Sequence, residues 1–580
     1  MTVHLQFLGA ATTVTGSQYL LTTERTRILI DCGMFQGSPN ESIRNRIPLA
    51  YDPASIEAIL LTHAHLDHCG LIPHVVKEGF RGPIWATRGT VELASLVLLD
   101  SGKLQEEFAK RGVRWEKRHP DKAVIEDKRD EAALEAAVEL ARAGETGSTA
   151  TAGTGAATTA GAGSAATGEH VTTTIEPALA IPEEAGGSGD PAAVSAPTPA
   201  FETAPALARA RDPEQALTAQ PAQLDIDLDE PLYDERDARA ALASFRGLDY
   251  GAEFEVAPGV HATFVDAGHI LGSAIIRLRV SDRDGDPEIR IVFSGDLGRT
   301  DTPILRDPTV VTDAEYVLVE STYGGREHEP EQEAIRILEE TVRLVGESDG
   351  VLLVPSFAIG RTQEVVWELD RLLEAGRIPP LPLYLDSPMA SKASDIYRHH
   401  PDYYDEETTK LLATEGSPLD YPHQIVVNDF EESQAIVRAP RPYMIVASNG
   451  MLTGGRVVGH LRNLIDDPAA VILFVGYQGV GTLGAHLQAG AKTVKLDGQV
   501  RGVRCQVRSI SGFSAHADES ELLDWLRPFG AGKKAGDAGF PRRVFIVHGD
   551  PDAQLALEPK IAELGLPTHI PRWHEVVVLD

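Results

Sequence analysis

The chain has 580 residues, 42% hydrophobic and 24% charged, ordinary proportions that exclude a collagen, a coiled coil and a wholly disordered chain. Three cysteines are too few for a disulfide framework, and no apolar run approaches the ~18 residues of a membrane span, so a cytoplasmic protein is expected. The 53 Lys and Arg against 86 Asp and Glu leave a formal charge of −33, which at face value argues against a nucleic-acid partner.

The N-terminus, MTVHLQFLGAATTVTG, carries no basic segment ahead of an apolar core, so no secretory leader is expected. Short β-branched runs ending in polar or Gly-rich turns follow: RILIDCG (27–33) and AILLTHAH (58–65). KRDEAALEAAVELARA (128–143) is rich in helix formers, as is DERDARAALASF (234–245). Between them the chain reads GETGSTATAGTGAATTAGAGSAATG (144–168), then Pro, Ala, Glu and Thr dominate as far as Pro221. With few large apolar side chains this stretch cannot offset its ordering entropy, so a disordered low-complexity segment with helical ends is expected within an acidic insert spanning 130–237. That window holds 20 carboxylates against four arginines and no lysine, about half of the total charge.

Apolar runs then resume: RIVFSGD (290–296), YVLVEST (316–322), VLLVPSF (351–357), LYLDSP (383–388), YMIVASNG (443–450), VILFVGY (471–477) and VFIVHGD (544–550). Continuous apolar strands alternating with helices predict an α/β protein whose sheets are covered on both faces. Ligands of such folds sit beyond the carboxyl ends of the strands.

Those ends hold most of the chemistry. Thr62-His63-Ala64-His65-Leu66-Asp67-His68 places three imidazoles and a carboxylate on a turn after a strand, a set that can converge on one point and suits Zn²⁺ or Mn²⁺. The alternative, a polar turn with chance histidines, is rare in a chain holding only 19 His. Asp31, His269, Asp296, Glu320, His516 and His548 stand at other strand ends. Each alone reads as easily as a hydrogen-bonded structural residue; only the joint pattern marks a site. Cys32 and Cys69 read as packing residues.

The motifs ILIDCGMFQG, THAHLDH, DAGHILGSA, SGDLGR, ESTYG, PSFAIGRTQE, DSPMA, SNGMLTGGR, GTLG, FSAHAD and VHGD occur in this order over 1–129 and 238–580. The series resembles that of the metallo-β-lactamase-fold hydrolases of the β-CASP family, nucleases that include RNase J and the nuclease subunit of the mRNA 3′-end cleavage complex. The resemblance implies an αββα metallo-β-lactamase sandwich with an inserted Rossmann-like α/β β-CASP cap. It assigns 1–129, 238–324 and 482–580 to the core and 325–481 to the cap. It further implies two Zn²⁺, or Mn²⁺ in their place. His63, His65 and His269 would hold the first, Asp67, His68 and His548 the second, and Asp296 would bridge them. Asp31 would orient a ligand histidine, and Glu320 would fix His516 as general acid toward the leaving oxygen. Two metals of this kind activate a water and clamp a phosphodiester.

On the substrate side, Gly360-Arg361-Thr362 and Thr453-Gly454-Gly455-Arg456 read equally as plain helix starts or as phosphate-binding turns. Arg361, Arg456, Lys392 and Ser514 are the candidate substrate contacts. The stretch 492–509 carries Lys492, Lys495, Arg501, Arg504 and Arg508 against one Asp, a solvated edge or an RNA guide. Because salt screens fields beyond ~8–10 Å, such a local strip outweighs the global −33. His548, at a motif where the family's DNA-repair branch typically lacks histidine, points to single-stranded RNA as the partner. Asp550 departs from the commoner VHGE ending. The expected activity is therefore a metal-dependent ribonuclease. The competing readings are a DNA nuclease, a hydrolase of small esters and a non-catalytic RNA-binding subunit. A homodimer is the default assembly for such an enzyme.

Overall fold

The computed structural model describes residues 3–37, 39–146, 230–281, 287–414, 419–479, 481–496 and 498–580. The reading of the Gly/Ala/Thr-rich stretch as disordered lies outside these residues.

Two seven-stranded sheets carry the two ends of the chain. Across the first run Val576–Leu579, Val3–Phe7, Tyr19–Thr22, Arg27–Ile30, Ala58–Leu60, Ile84–Thr87 and Phe245–Leu248. Across the second run Thr568–His569, Arg543–Ile546, Tyr316–Val319, Ile289–Phe293, Ala274–Val280, Val260–Asp266 and Glu253–Ala257. The period-2 alternation of side chains turns Leu5, Phe7, Ile28 and Ile30 of the first sheet onto Phe264, Ile276, Phe293 and Phe545 of the second, forming the layer between them. Helices Ile72–Lys77, Arg88–Arg118 and Glu235–Leu242 cover the outer face of the first sheet. Helices Glu519–Gly530 and Pro551–Glu563 cover the second. The result is the expected αββα sandwich.

The cap is a six-stranded sheet in the order Gln424–Val426, Leu383–Asp386, Tyr443–Ala447, Val351–Pro355, Ala470–Phe474 and Gln506–Ser509, every pair parallel. Leu352, Val354 and Val446 pack under helices Glu331–Glu347 and Arg361–Glu374 on one face. Leu353, Ile445 and Phe474 pack under helix Arg456–Leu464 on the other. A sheet apolar on both faces between helices is the Rossmann-like arrangement.

Three expected boundaries move. Helix Pro120–Thr146 runs through the expected insert start at 130. Its Leu134, Ala137, Val138 and Ala141, one stripe at helical spacing, are buried against the inter-sheet core. At the other end Tyr233 belongs to the fold: it is fully buried and donates its hydroxyl to Ser101 Oγ at 2.8 Å. The described fold thus takes in both ends of 130–237. The cap in turn runs past 481, because Gln506–Ser509 closes its sheet against Ala470–Phe474. QVRS is polar and four residues long, so it shows no apolar run by which to recognise a strand. Among the described residues no helix is long and apolar enough to cross a membrane.

Candidate metal centre

Topology delivers the site. Arg27–Ile30 and Ala58–Leu60 are parallel in one sheet, and Ile289–Phe293, Tyr316–Val319 and Arg543–Ile546 are parallel in the other. The loops after their carboxyl ends meet on one rim of the sandwich. Asp31 and His548 leave their strands with φ of 56° and 50°. That left-handed backbone costs a side-chain-bearing residue of order 1–3 kcal/mol, and it persists here at two site residues. Gly33 follows for a steric reason: a Cβ there would sit 1.6 Å from the Asp67 carbonyl oxygen.

Asp31 organises the first loop. Its carboxylate accepts from the Thr62 N–H at 2.8 Å, the Thr62 hydroxyl at 2.9 Å and His68 Nδ1–H at 2.7 Å. The proton on Nδ1 leaves His68 Nε2 with a lone pair facing the rim.

Two groups of ligand atoms then converge. In the first, His65 Nδ1 lies 3.1 Å from His63 Nε2 and 3.2 Å from His269 Nε2. Asp296 Oδ2 stands 3.4 Å from His63 and 3.6 Å from His269. In the second, His68 Nε2 and His548 Nε2 are 3.1 Å apart, and Asp67 Oδ2 is 3.6 Å from His548. Asp296 Oδ1 completes this group at 3.3 Å from His68 and 3.5 Å from His548. Ligands ~2.0–2.1 Å from one ion lie roughly 3–3.5 Å from each other, the spacing seen in both groups. Asp296 Oδ1 is buried without a hydrogen-bond partner, and each of its two oxygens faces a different group. A donor set of imidazole nitrogens and carboxylate oxygens facing inward in this way fits two divalent ions.

Charge supports that fit. Burial holds His63 and His269 far below the usual imidazole range and His65 at about 4, so their lone pairs are free at neutral pH. Burial works against the Asp296 carboxylate, but His548, His68 and His63 around it hold its carboxyl well below the ordinary range. Burial also opposes charge on His68, yet Asp296 and Asp31 on either side raise it well above a free imidazole, so its Nε2 takes a second proton that a bound ion would displace.

Glu320 and His516 stand beside the second carboxylate oxygen. His516 Nδ1 lies 3.1 and 3.2 Å from the Glu320 oxygens and 4.0 Å from Asp296 Oδ2. Glu320 is itself fixed by the Leu297 N–H at 2.7 Å. Burial lowers the His516 pKa, but Glu320, Asp296 and Asp67 overcome it and bring it to about 9.

Of the four candidate substrate residues, Ser514 stands beside these ligands, and the other three are paired within the cap or exposed. Arg456 donates from Nη1 to Asp386 Oδ1 at 2.7 Å and from Nη2 to the Asn428 carbonyl at 2.9 Å, inside the cap. Arg361 is buried and pairs with Glu364 of its own helix. Lys392 is exposed on helix Pro388–His399, within electrostatic range of Asp100 on the core helix. Ser514 is buried, its hydroxyl accepting the His516 N–H at 3.3 Å. Ser514 and Glu364 do line a small cavity beside His269, at the seam of cap and core. Conversely, Arg299, His328 and Glu329 surround the His516 loop and went unread in the sequence. The charged run REHE directly after ESTYGG was the available signal.

The sandwich, the rim of ligands and the inserted cap define a hydrolase of the metallo-β-lactamase class. Residues 11–217 match the metallo-beta-lactamase superfamily, 362–487 the Beta-Casp domain, and 501–571 the Zn-dependent metallo-hydrolase RNA specificity domain. The chain is 31% identical to Ribonuclease TTHA0252 of Thermus thermophilus over 569 residues, 98% of each. It is 28% identical to Transcription termination factor FttA of Methanosarcina mazei, over 96% of this chain and 69% of that one. It is 34% identical to FttA of Pyrococcus abyssi over 59% of this chain and 52% of that one. The chain belongs to the β-CASP family of metal-dependent hydrolases.

Proposed function

We propose that the chain is a ribonuclease that hydrolyses single-stranded RNA with two divalent ions, Zn²⁺ or Mn²⁺, at the rim. The observation that carries this reading is the split of Asp296: each carboxylate oxygen faces its own group of inward-pointing ligands, with an acid–base pair alongside. His63 Nε2, His65 Nδ1, His269 Nε2 and Asp296 Oδ2 would hold one ion. Asp67 Oδ2, His68 Nε2, His548 Nε2 and Asp296 Oδ1 would hold the other. Such a pair lowers the pKa of a water and offsets the charge of a phosphodiester.

The chain's own groups supply orientation and the proton. Asp31 keeps the His68 proton on Nδ1, away from the rim. Glu320 takes the Nδ1–H of His516, which turns Nε2–H toward the departing ribose oxygen as general acid. The His516 loop joins a cap strand to a core helix, so the scissile bond lies at the seam between the two. The similarity to a named ribonuclease over nearly the whole chain supports RNA over small esters.

The test offers the Zn²⁺- or Mn²⁺-loaded protein labelled single-stranded RNA, single-stranded DNA and a generic ester, beside Asp67→Ala and His68→Ala. RNA cleavage by the wild type and its loss in both variants is expected. Equal RNA degradation by wild type and variants would overturn the assignment.

A further inference from the structure

We propose that Glu329, His328 and Arg299 are positioning residues that hold the His516 loop and so fix where the general acid delivers its proton. The proposal rests on the reading of His516 as general acid.

The segment between strand Gln506–Ser509 and helix Glu519–Gly530 has no regular structure of its own. Beyond the Ser514 N–H on the Ser511 carbonyl and the His516 N–H on Ser514 Oγ, its backbone groups therefore need partners from outside. The chain after ESTYGG supplies them. Glu329 Oε1 accepts the N–H of Ser511 at 2.7 Å and of Gly512 at 2.9 Å, and Oε2 accepts the Ser511 hydroxyl. Arg299, three residues after Asp296, donates to the Gly512 carbonyl and stands 3.6 Å from Glu521.

His328 acts closer to the acid. Its Nε2–H donates to the His516 carbonyl at 3.1 Å, and its backbone N–H to the Asp518 carboxylate at 3.1 Å. The ring stands edge-on to Tyr323, centroids 4.3 Å apart, which fixes its orientation. One residue earlier, the Ala515 carbonyl accepts from His269 Nδ1–H at 3.1 Å. The two peptide carbonyls flanking the His516 Cα are thus gripped by imidazoles from two different loops. Displacing that backbone moves the acid off the leaving oxygen, and an error of ~1 Å costs on the order of 10²-fold in rate.

A positioning role and mere structural support separate on the leaving group. The ribose oxygen must be protonated as it departs, whereas p-nitrophenolate leaves without a proton. Metal-loaded wild type, His516→Ala, Glu329→Gln, His328→Phe and His328→Gln would be compared on an RNA oligonucleotide and on bis(p-nitrophenyl) phosphate, with metal content measured for each. We expect His516→Ala and Glu329→Gln to lower kcat on RNA about tenfold or more. The nitrophenyl diester, KM and metal content should change by less than about twofold. His328→Phe, which keeps the ring contact but loses the donor, gives the same pattern more weakly, and His328→Gln, whose amide reaches the same carbonyl, recovers it. The double variant Glu329→Gln/His516→Ala is no slower than His516→Ala alone. Should Glu329→Gln not fold, Ser511→Ala removes only the hydroxyl contact and carries the same signature. Equal loss on both substrates in the Glu329 or Ser511 variant, with His516→Ala selective for RNA, overturns the positioning role. Equal loss on both substrates in His516→Ala overturns the general-acid reading itself, and the proposal with it.

Discussion

The rim and the cap use the same residue types in opposite ways. At the rim, His63, His65, His269, His68 and His548 turn ring nitrogens toward one another at hydrogen-bond distance with no donor to satisfy them all. In the cap, the groups that look equally functional are answered by their neighbours. Asp386 of DSPMA receives His460 Nε2 at 2.6 Å, the Ser433 hydroxyl and the Arg456 guanidinium, and Ser387 Oγ meets Ser448 Oγ at 3.0 Å. A binding site shows as polar groups that the fold leaves facing one another, a structural hub as polar groups that the fold pairs off. Residue type alone does not separate the two.

That contrast breaks most visibly at Asp296. Asp296→Asn keeps the volume and removes the charge that two groups share. Loss of activity by roughly 10³-fold is expected, together with a fall in bound metal measured by elemental analysis. Retention of both would mean that the rim is a structural hub after all. Asp31→Asn is the next largest. Its amide N–H would face His68 Nδ1 and push the proton to Nε2, toward His548. A loss of about 10–100-fold in metal affinity or rate is expected from such an outer partner.

Arg456 probes the other side. Asp386 has no exposed side-chain surface, so Arg456→Gln leaves a buried carboxylate short of a partner. A loss of roughly 1–3 kcal/mol in stability is expected, with kcat and KM on RNA changed less than about threefold. A raised KM for RNA with unchanged thermal unfolding would make Arg456 a phosphate contact and erase the distinction.

How far the sequence carried each region follows from the same difference. THAHLDH was legible because divalent-ion chemistry accepts few residue types and the turn brings four of them together locally. His269, Asp296 and His548 stand at strand ends that each read as easily as structural; the resemblance to the β-CASP motifs singles them out, and topology gathers them on one rim. Arg361, Arg456 and Ser514 are ambiguous in the sequence because a helix-start arginine or a loop serine looks the same whether it meets phosphate or its own fold. Glu329 and His328 show in the sequence only as a charged run, without their role, for the converse reason. Their partners are backbone groups about 180 residues away, which carry no sequence signal. The edge strand Gln506–Ser509 is hidden because it lacks an apolar run, and the core packing of the expected helix, here Pro120–Thr146, because it adjoins a low-complexity stretch.

The smallest effect comes from a buried carboxyl of the cap that lacks a hydrogen-bond partner on one oxygen. Glu368, on helix Arg361–Glu374, is 2% exposed, and its Oε1 has no hydrogen-bond partner. Burial raises its pKa to about 8, with Glu364 of the same helix, Glu331 of the neighbouring helix and Glu407 adding to the rise and Arg377 opposing it. The sign follows from linkage. Below the ordinary carboxyl range both folded and unfolded chains hold the proton, and the residue costs nothing. As the pH climbs toward 8, the unfolded chain ionises freely while the folded one resists, so stability drains away and levels off only above 8. Glu368→Gln removes that drain. The variant should unfold at nearly the wild-type temperature in acid and above it at pH 8–9, with metal content and RNA cleavage unchanged. A gap that does not widen with pH would mean that this carboxylate, like those of the rim, has found a counter-charge.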